Sequence, residues 1–306
     1  MDQAACVTTF FDWSGNPYLA RNHAAFRAHW QSAGIPLYTV ECHLKGIKPQ
    51  LPPQSNLWRV AVKDPLFHKE SAINFAVRNL PADFKVILYV DADMIMDDYR
   101  PLHRVPELLA GDVRAVQLME RVRYLDASGR WIEDKTAFDP GTREGFYGAG
   151  WAYRREFFDV HGGFFDDYPL GGLDTCALIA AYGEANHPGR SGFWRMLEPD
   201  MARQAHSWCE VKQRYFGGRV AVLPITARHL WHGDLKDRRY MDRHRILRST
   251  PIQSYRRDRN GFVEFRHVEP RTYANVLKYW EGRRPSPDES QSISGNRPLS
   301  VAGGNA

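Results

Sequence analysis

Two aspartates one residue apart, Asp91 and Asp93, close the short apolar run Val86–Val90. Carboxylates inside a hydrophobic stretch are costly unless they are paired or bound to a cation. Open α/β sheets place their ligands beyond the carboxyl ends of the strands. Paired oxygen ligands at such a point suit a hard divalent cation, and the cation in turn suits a phosphate-bearing substrate. Alone, Asp-Ala-Asp reads equally well as a strand running into an acidic surface turn. A second chemical feature is charge. Of the net +5, the stretch from Asp234 to Arg284 carries fourteen Lys or Arg against seven Asp or Glu. Such a sector could meet a polyanion, nucleic acid or an anionic membrane surface, or could be a solvated helical face.

The elements that must position these groups alternate between strand and helix. Val7–Phe11 reads as a first strand, and Asn16-Pro17 as the cap and first position of a helix. Leu19, His23, Phe26 and Trp30 recur at helical spacing, with Gly34 as the stop. Pro36–Val40 follows as a strand, giving a βαβ rhythm. Residues 45–57 are loop, and Arg59–Val62 is a short strand. Asp64-Pro65 opens a helix that buries Ile73, Ala76, Val77 and Leu80, with His68, Lys69 and Asn74 as its polar members. After the Asp-Ala-Asp come a short helix from Val105 to Leu109 and a strand from Val113 to Leu118. A polar, aperiodic loop is expected from Arg121 to Glu144, long enough to suggest service to a site. Phe146–Tyr153 reads as a glycine-bearing strand, Arg155–Val160 as a short helix, and Thr175–Tyr182 and Ala202–Phe216 as further helices. Asp174 would cap the first of these. A late strand, Val220–Pro224, precedes a basic helix from Lys236 to Leu247 and a last helix from Arg271 to Trp280. Residues 286–306 have no core-forming pattern and are expected to be disordered.

At 306 residues, 43% apolar and 25% charged, the chain can build a substantial core. No apolar run is long enough to span a membrane, and the N-terminus lacks a secretory signal pattern. Cys6, Cys42, Cys176 and Cys209 form no Cys-x-x-Cys pair. A reduced cytoplasm, bacterial or of a host cell, is the expected compartment.

Val90-Asp-Ala-Asp93, Gly148-Ala-Gly-Trp-Ala-Tyr-Arg154 with Gly162-Gly-Phe164, and Gly171-Gly-Leu-Asp174 stand in an order that resembles nucleotide-sugar-dependent glycosyltransferases of the GT-A fold, inverting type. His229-Leu-Trp-His-Gly233 looks like the C-terminal histidine motif of several such families. The resemblance implies a GT-A-like (Rossmann-like) catalytic domain over residues 1–250, with a twisted, mixed, mostly parallel sheet flanked by helices. Residues 251–285 would form a basic helical extension packed on it. It also implies that Asp93 ligates Mn²⁺ or Mg²⁺, that Asp91 contacts the ribose or reaches the metal through water, and that His232 completes the metal shell, with His229 as the rival. Imidazole beside carboxylate suits Mn²⁺ somewhat better. Asp174 would be the general base on the acceptor hydroxyl. Leu173 departs from the glutamate usual there, a residue that often touches the acceptor in related enzymes.

By the same resemblance, Thr8, Phe10, Asp12 and Glu41 would grip base and ribose, and Ala92 would lie against the nucleotide. Lys69 and Asn74 would support the nucleotide or Asp91, and Trp151 would line the pocket. Lys236, Arg238, Arg239 and Arg243 would reach the diphosphate or the acceptor. The donor is expected to be a uridine diphosphate sugar and the acceptor a saccharide, with a hydroxylated base of modified, phage-type DNA as the alternative. A sugar nucleotidylyltransferase would need a Gly-rich nucleotide loop after the first strand, which Phe11-Asp-Trp-Ser-Gly-Asn16 does not supply. A non-catalytic nucleic-acid-binding protein is the remaining rival; its binding would survive chelation.

Overall fold

A computed structural model describes residues 3–183, 190–234, 239 and 242–285. The central strand is Val86–Val90, and every one of its residues is buried. Side chains alternate across a strand, so Val86, Leu88 and Val90 enter one core while Ile87 and Tyr89 enter another on the opposite face. An apolar run without polar alternation is what a strand covered on both faces requires.

In chain order the elements are β1 (Ala4–Phe10), α1 (Pro17–Trp30), β2 (Leu37–Leu44), β3 (Leu57–Val62), α2 (Lys69–Asn79), β4 (Val86–Val90), β5 (Met94–Met96), α3 (Val105–Ala110) and β6 (Ala115–Gln117). Then come β7 (Arg121–Leu125), β8 (Trp131–Thr136), β9 (Gly150–Arg154), α4 (Glu156–Asp159), α5 (Leu173–Tyr182), α6 (Arg190–Met196) and α7 (Pro199–Phe216). The chain continues through β10 (Val220–Val222), β11 (Thr226–His229), α8 (Asp242–Leu247), β12 (Tyr255–Arg257), β13 (Val263–Phe265) and α9 (Pro270–Glu281). The main sheet runs β10-β6-β9-β4-β1-β2-β3. β9 is antiparallel to both its neighbours, and the other pairings are parallel. This is the GT-A-like, Rossmann-like α/β arrangement expected from the sequence.

Several boundaries differ from expectation. Asp64-Pro65 does not open α2: the Asp64 carboxylate accepts from the Phe265 backbone N–H and the Pro65 carbonyl from the Trp280 indole, so the helix starts at Lys69. β9 begins at Gly150, later than expected. α5 begins at Leu173, so Asp174 lies inside the first turn and Gly172 holds the cap position. Residues 121–144 are not a featureless loop. They contain the β7–β8 hairpin, which joins β5 and β11 in a second sheet of order β5-β11-β7-β8. Val122 is the only fully buried residue of the two strands, so no apolar alternation marks them. Polar contacts hold them instead: Asp126 accepts from the Ser128 and Arg130 backbone at the turn, and Arg121 pairs with Asp134.

The C-terminal segment contains β12, β13 and α9. Val263, Phe265, Val276, Tyr279 and Trp280 share a third core cluster with Leu66, Leu170 and Cys176. Of the expected basic helix, Arg239 and the helical Asp242–Leu247 fall within the described residues; Lys236, Arg238 and the tail from residue 286 lie outside them. No helix among the described residues is long and apolar enough to cross a membrane.

Asn74 shows how α2 is tied to the segment between α4 and α5. Its amide donates to the Phe164 carbonyl at 2.9 Å and to Asp166 at 3.0 Å, and accepts from the Phe164 N–H at 3.0 Å. Gly163 is required beside it, because a Cβ there would collide with the Asn74 carboxamide. Asn74→Ala would leave both buried main-chain groups of Phe164 unsatisfied. A loss of about 2–3 kcal/mol in denaturant unfolding is expected, with nucleotide affinity unchanged.

Candidate functional site

The register between β5 and β11 places the first pair of groups. Ala227, Arg228 and His229 stand opposite Met96, Ile95 and Met94, and the Leu230 N–H then donates to the Asp93 carbonyl at 2.8 Å. Alternation sends Arg228 outward to Asp97 and turns His229 inward, against the Tyr124 ring and toward Asp93. His232 follows in a turn that α1 holds. Asn16 and Asn22 donate to the His232 and Trp231 carbonyls, and Tyr18 meets the Trp231 ring edge to face. Asn16 also caps α1 through the Tyr18 N–H, so one residue both starts the helix and anchors the histidine turn.

The result is a three-ligand cluster. The Nε2 atoms of His232 and His229 stand 2.9 and 3.5 Å from Asp93 Oδ2, and one ligand atom from each residue lies within 4.8 Å of the others. Both histidines are buried. Two neutral imidazoles and one carboxylate form a donor set that suits a divalent transition metal, so the residues fit a cation. The sequence left His229 and His232 as rivals; the structure brings both to Asp93. Asp91 is not part of this cluster. Its carboxylate pairs with Lys69 at 2.6 Å. Burial pushes the Asp91 carboxyl up, the neighbouring Lys69 opposes this, and Asp93 adds to it. Burial works against the Lys69 ammonium, yet the carboxylates of Asp91, Asp174 and Glu70 outweigh it and hold its pKa above the ordinary value.

Asp91, Asp93, His232 and Lys69 border a cavity of about 200 Å³ at the carboxyl ends of β1 and β4, with His229 outside its lining. Asp91, Ala92 and Asp93 form one wall with His232; Phe10 and Asp12 come from the end of β1; Lys69 and Glu70 come from the first turn of α2. Asp174 faces them from the first turn of α5, its Oδ1 accepting from the Thr175 N–H at 2.9 Å. Gly171 and Gly172, both at positive φ, make that approach possible. A Cβ on the first would stand 2.9 Å from the Phe67 ring, and one on the second 2.8 Å from His244.

Gly148 lies where Asp174 and Lys69 converge, 3.2 Å from Asp174 Oδ2 and 3.8 Å from Lys69 Nζ as measured from an ideal Cβ. Its backbone is one that alanine tolerates, so Gly148→Ala should fold normally while its methyl displaces the Asp174 carboxylate. On the role proposed below for Asp174, displacing its carboxylate by a fraction of an ångström is expected to lower turnover about tenfold to a hundredfold. Steady-state kinetics beside a thermal melt would separate this from misfolding.

The other residues singled out from the sequence have different surroundings. Thr8 donates to the Val90 carbonyl. Glu41 pairs with Arg59, its partner across β2 and β3, and accepts from the Gln50 and Leu51 N–H groups. Trp151 is core, its indole donating to the Tyr147 carbonyl. None of these, nor Asn74, borders the cavity, and Arg239 is exposed outside it. Conversely Glu70, Phe67, Trp280 and Arg283 do border it and were not anticipated. Trp280 stacks on Phe67, and the guanidiniums of Arg243 and Arg283 lie over Phe67 and Trp280. In the sequence Glu70, Phe67, Trp280 and Arg283 carry no distinguishing signal, since Glu70 reads as an ordinary first-turn helix residue and the other three lie far along the chain from the Asp-Ala-Asp.

No protein-family model matches the chain, and no curated protein matches it. Among solved structures, the catalytic domain of Drosophila β1,4-galactosyltransferase 7 in complex with xylobiose is similar at 12% identity and TM-score 0.42, over 90% of this chain and 98% of that one. A mutant of that enzyme in complex with manganese, UDP-Gal and xylobiose gives 13% identity and TM-score 0.39, over 72% of this chain but only 64% of that chain's length. S. aureus TarS 1-349 in complex with UDP-GlcNAc gives 10% identity and TM-score 0.38, over 92% and 72%. Likeness at these levels carries no inference about chemistry, so the site must be read from its own residues.

Proposed function

We propose that this protein transfers a sugar from a nucleotide sugar, uridine-linked, to a hydroxyl of a saccharide acceptor. The observation that carries this reading is the opposition, across one cavity, of a cation-ready Asp93/His229/His232 cluster and the Asp174 carboxylate. A cation on that cluster, Mn²⁺ in preference to Mg²⁺, would neutralise the charge of a departing diphosphate.

The chain's own groups supply the rest. Lys69 fixes Asp91 and adds a positive charge next to the same wall. Asp174 takes the proton of the acceptor hydroxyl as its oxygen bonds to the anomeric carbon; the bond to the diphosphate breaks and the electron pair leaves with it. A single displacement of this kind inverts the anomeric centre. Phe67, Trp280 and Trp13 line the cavity too and supply ring faces suited to a pyranose. Of the basic residues on which a DNA acceptor would lean, 236 and 238 lie outside the described residues, Arg239 is exposed away from the cavity, and Arg243 is buried over Phe67 in its lining, so no specific observation favours that reading.

The deciding experiment is a donor-hydrolysis screen over UDP-glucose, UDP-galactose, UDP-N-acetylglucosamine and their non-uridine counterparts. It is run with Mn²⁺, with Mg²⁺ and with chelator, then repeated with saccharides or duplex DNA added. Hydrolysis that needs the cation and turns to transfer with a saccharide is expected. Activity indifferent to chelation, or no uptake of any nucleotide sugar, would end the proposal.

A further inference from the structure

Glu70 is the buried group that the mechanism above leaves without a task. It sits in the first turn of α2, is only 5% exposed, and borders the cavity that Asp174 faces. Its Oε2 is buried without a hydrogen-bond partner. A first-turn glutamate complements a helix dipole equally well from solvent, so that role does not require burial. A buried, unsatisfied carboxyl oxygen is a cost, and in a side chain that borders a cavity a turn of the carboxyl offers it to a donor from outside. Burial pushes its pKa from the ordinary 4.5 up to about 8; Lys69 opposes the rise, and Asp174 and Asp91 add to it.

A hydroxyl has one proton. The acceptor hydroxyl that donates to Asp174 cannot also donate to Glu70. Donation from a protonated Glu70 to that same oxygen would draw electron density from the nucleophile. The second carboxyl therefore serves a second oxygen. We propose that Glu70 is an acceptor-binding residue whose carboxyl, turned toward the cavity, receives the hydroxyl next to the one Asp174 deprotonates, so that the acceptor must present a vicinal diol. This rests on the sugar-transfer reading and narrows it: sugar rings qualify, and a lone hydroxymethyl group does not.

The test uses minimal acceptors. Transfer to trans-1,2-cyclohexanediol and to cyclohexanol is measured for the full chain with Mn²⁺ and whichever UDP sugar it hydrolyses, each rate divided by hydrolysis of the same donor by the same variant. The wild type should favour the diol on the order of tenfold, the worth of one hydrogen bond to a buried carboxyl. Glu70→Leu should bring the two acceptors level, and Glu70→Gln, which can still hydrogen-bond, should keep part of the preference. A Glu70→Leu enzyme as selective as the wild type, or a wild type with no preference, overturns the proposal. A wild type that hydrolyses no nucleotide sugar overturns the sugar-transfer reading and this assignment together, so the two failures are told apart by hydrolysis alone.

Thermal melts add an independent readout. Removing an unsatisfied polar group should leave Glu70→Leu as stable as the wild type or more so. Folding favours the protonated carboxyl, so the wild type loses stability as pH rises from 4.5 through about 8. The advantage of Glu70→Leu should therefore widen over that window. A fall in melting temperature for both variants would mark Glu70 as structural and overturn the assignment.

Discussion

Asp93→Ala loses Mn²⁺ binding and lowers turnover by about a thousandfold or more, the largest effect expected of any single substitution here. Asp93 is the only anionic member of the cluster among the described residues. Without it, two neutral imidazoles remain, and they offer a divalent cation coordination without charge compensation. The fold should survive, because the Asp93 main chain, not its carboxylate, receives the Leu230 N–H that continues the β5–β11 ladder. The carboxylate is 17% exposed, so its removal opens no sealed cavity. Two measurements check this. Calorimetric titration should show Mn²⁺ binding to the wild type and none to the variant. Added Mn²⁺ should raise the melting temperature of the wild type alone, since only a ligand that binds the native state stabilises it. Wild-type affinity for Mn²⁺ in Asp93→Ala would place the ion elsewhere.

The part of this site legible in the sequence is the part written in local, costly choices. Asp91 and Asp93 stand at the end of a run buried on both faces, and such a placement demands an explanation from the sequence alone. Asp174 and the His229–His232 turn were reached through the order of motifs. The histidine geometry is set by the pairing of β11 with β5, strands more than a hundred residues apart whose short length gives no periodicity, and that of Asp174 by the first turn of α5. β7 and β8 carry no periodic signal, because their stability lies in turn chemistry and ion pairs and sequence patterning detects apolar alternation.

A polar residue near a strand or helix end reads from sequence as a ligand contact, yet the chain's own groups can occupy it. Glu41, Asn74 and Thr8 form hydrogen bonds with other groups of this chain. A buried carboxylate with a cationic partner directly across the ladder, as Glu41 has in Arg59, needs no ligand to account for it. Glu70 is the opposite case. In the sequence it resembles an ordinary first-turn helix residue, and only burial without a partner distinguishes it. Trp280 and Arg283 reach the cavity from the C-terminal segment, through a core cluster that joins α9 to Leu66 and Leu170.

Asp174→Asn should separate chemistry from binding. The carboxamide has the volume of the carboxylate and can still accept from the Thr175 N–H, so the first turn of α5 keeps its geometry. It cannot take a proton. Loss of a positioned base is expected to cost about a thousandfold in turnover, while Mn²⁺ and UDP bind as before because the cluster at Asp93 lies on the other wall. This is the reverse of the Asp93→Ala pattern, in which binding and turnover fall together. The substitution also removes a negative charge that holds both Lys69 and Glu70 up. Lys69 keeps Asp91 at 2.6 Å and remains an ammonium, but Glu70 should ionise more easily, and the pH dependence of stability attributed to it should shift to lower pH. Single-turnover transfer and UDP titration on the same preparation give both readouts. Should Asp174→Asn retain more than about a tenth of wild-type turnover, a positioned base is not at residue 174. The neighbouring carboxyl of Glu70 would then be the next group to replace, and its assignment to the acceptor's second hydroxyl would have to yield to the first.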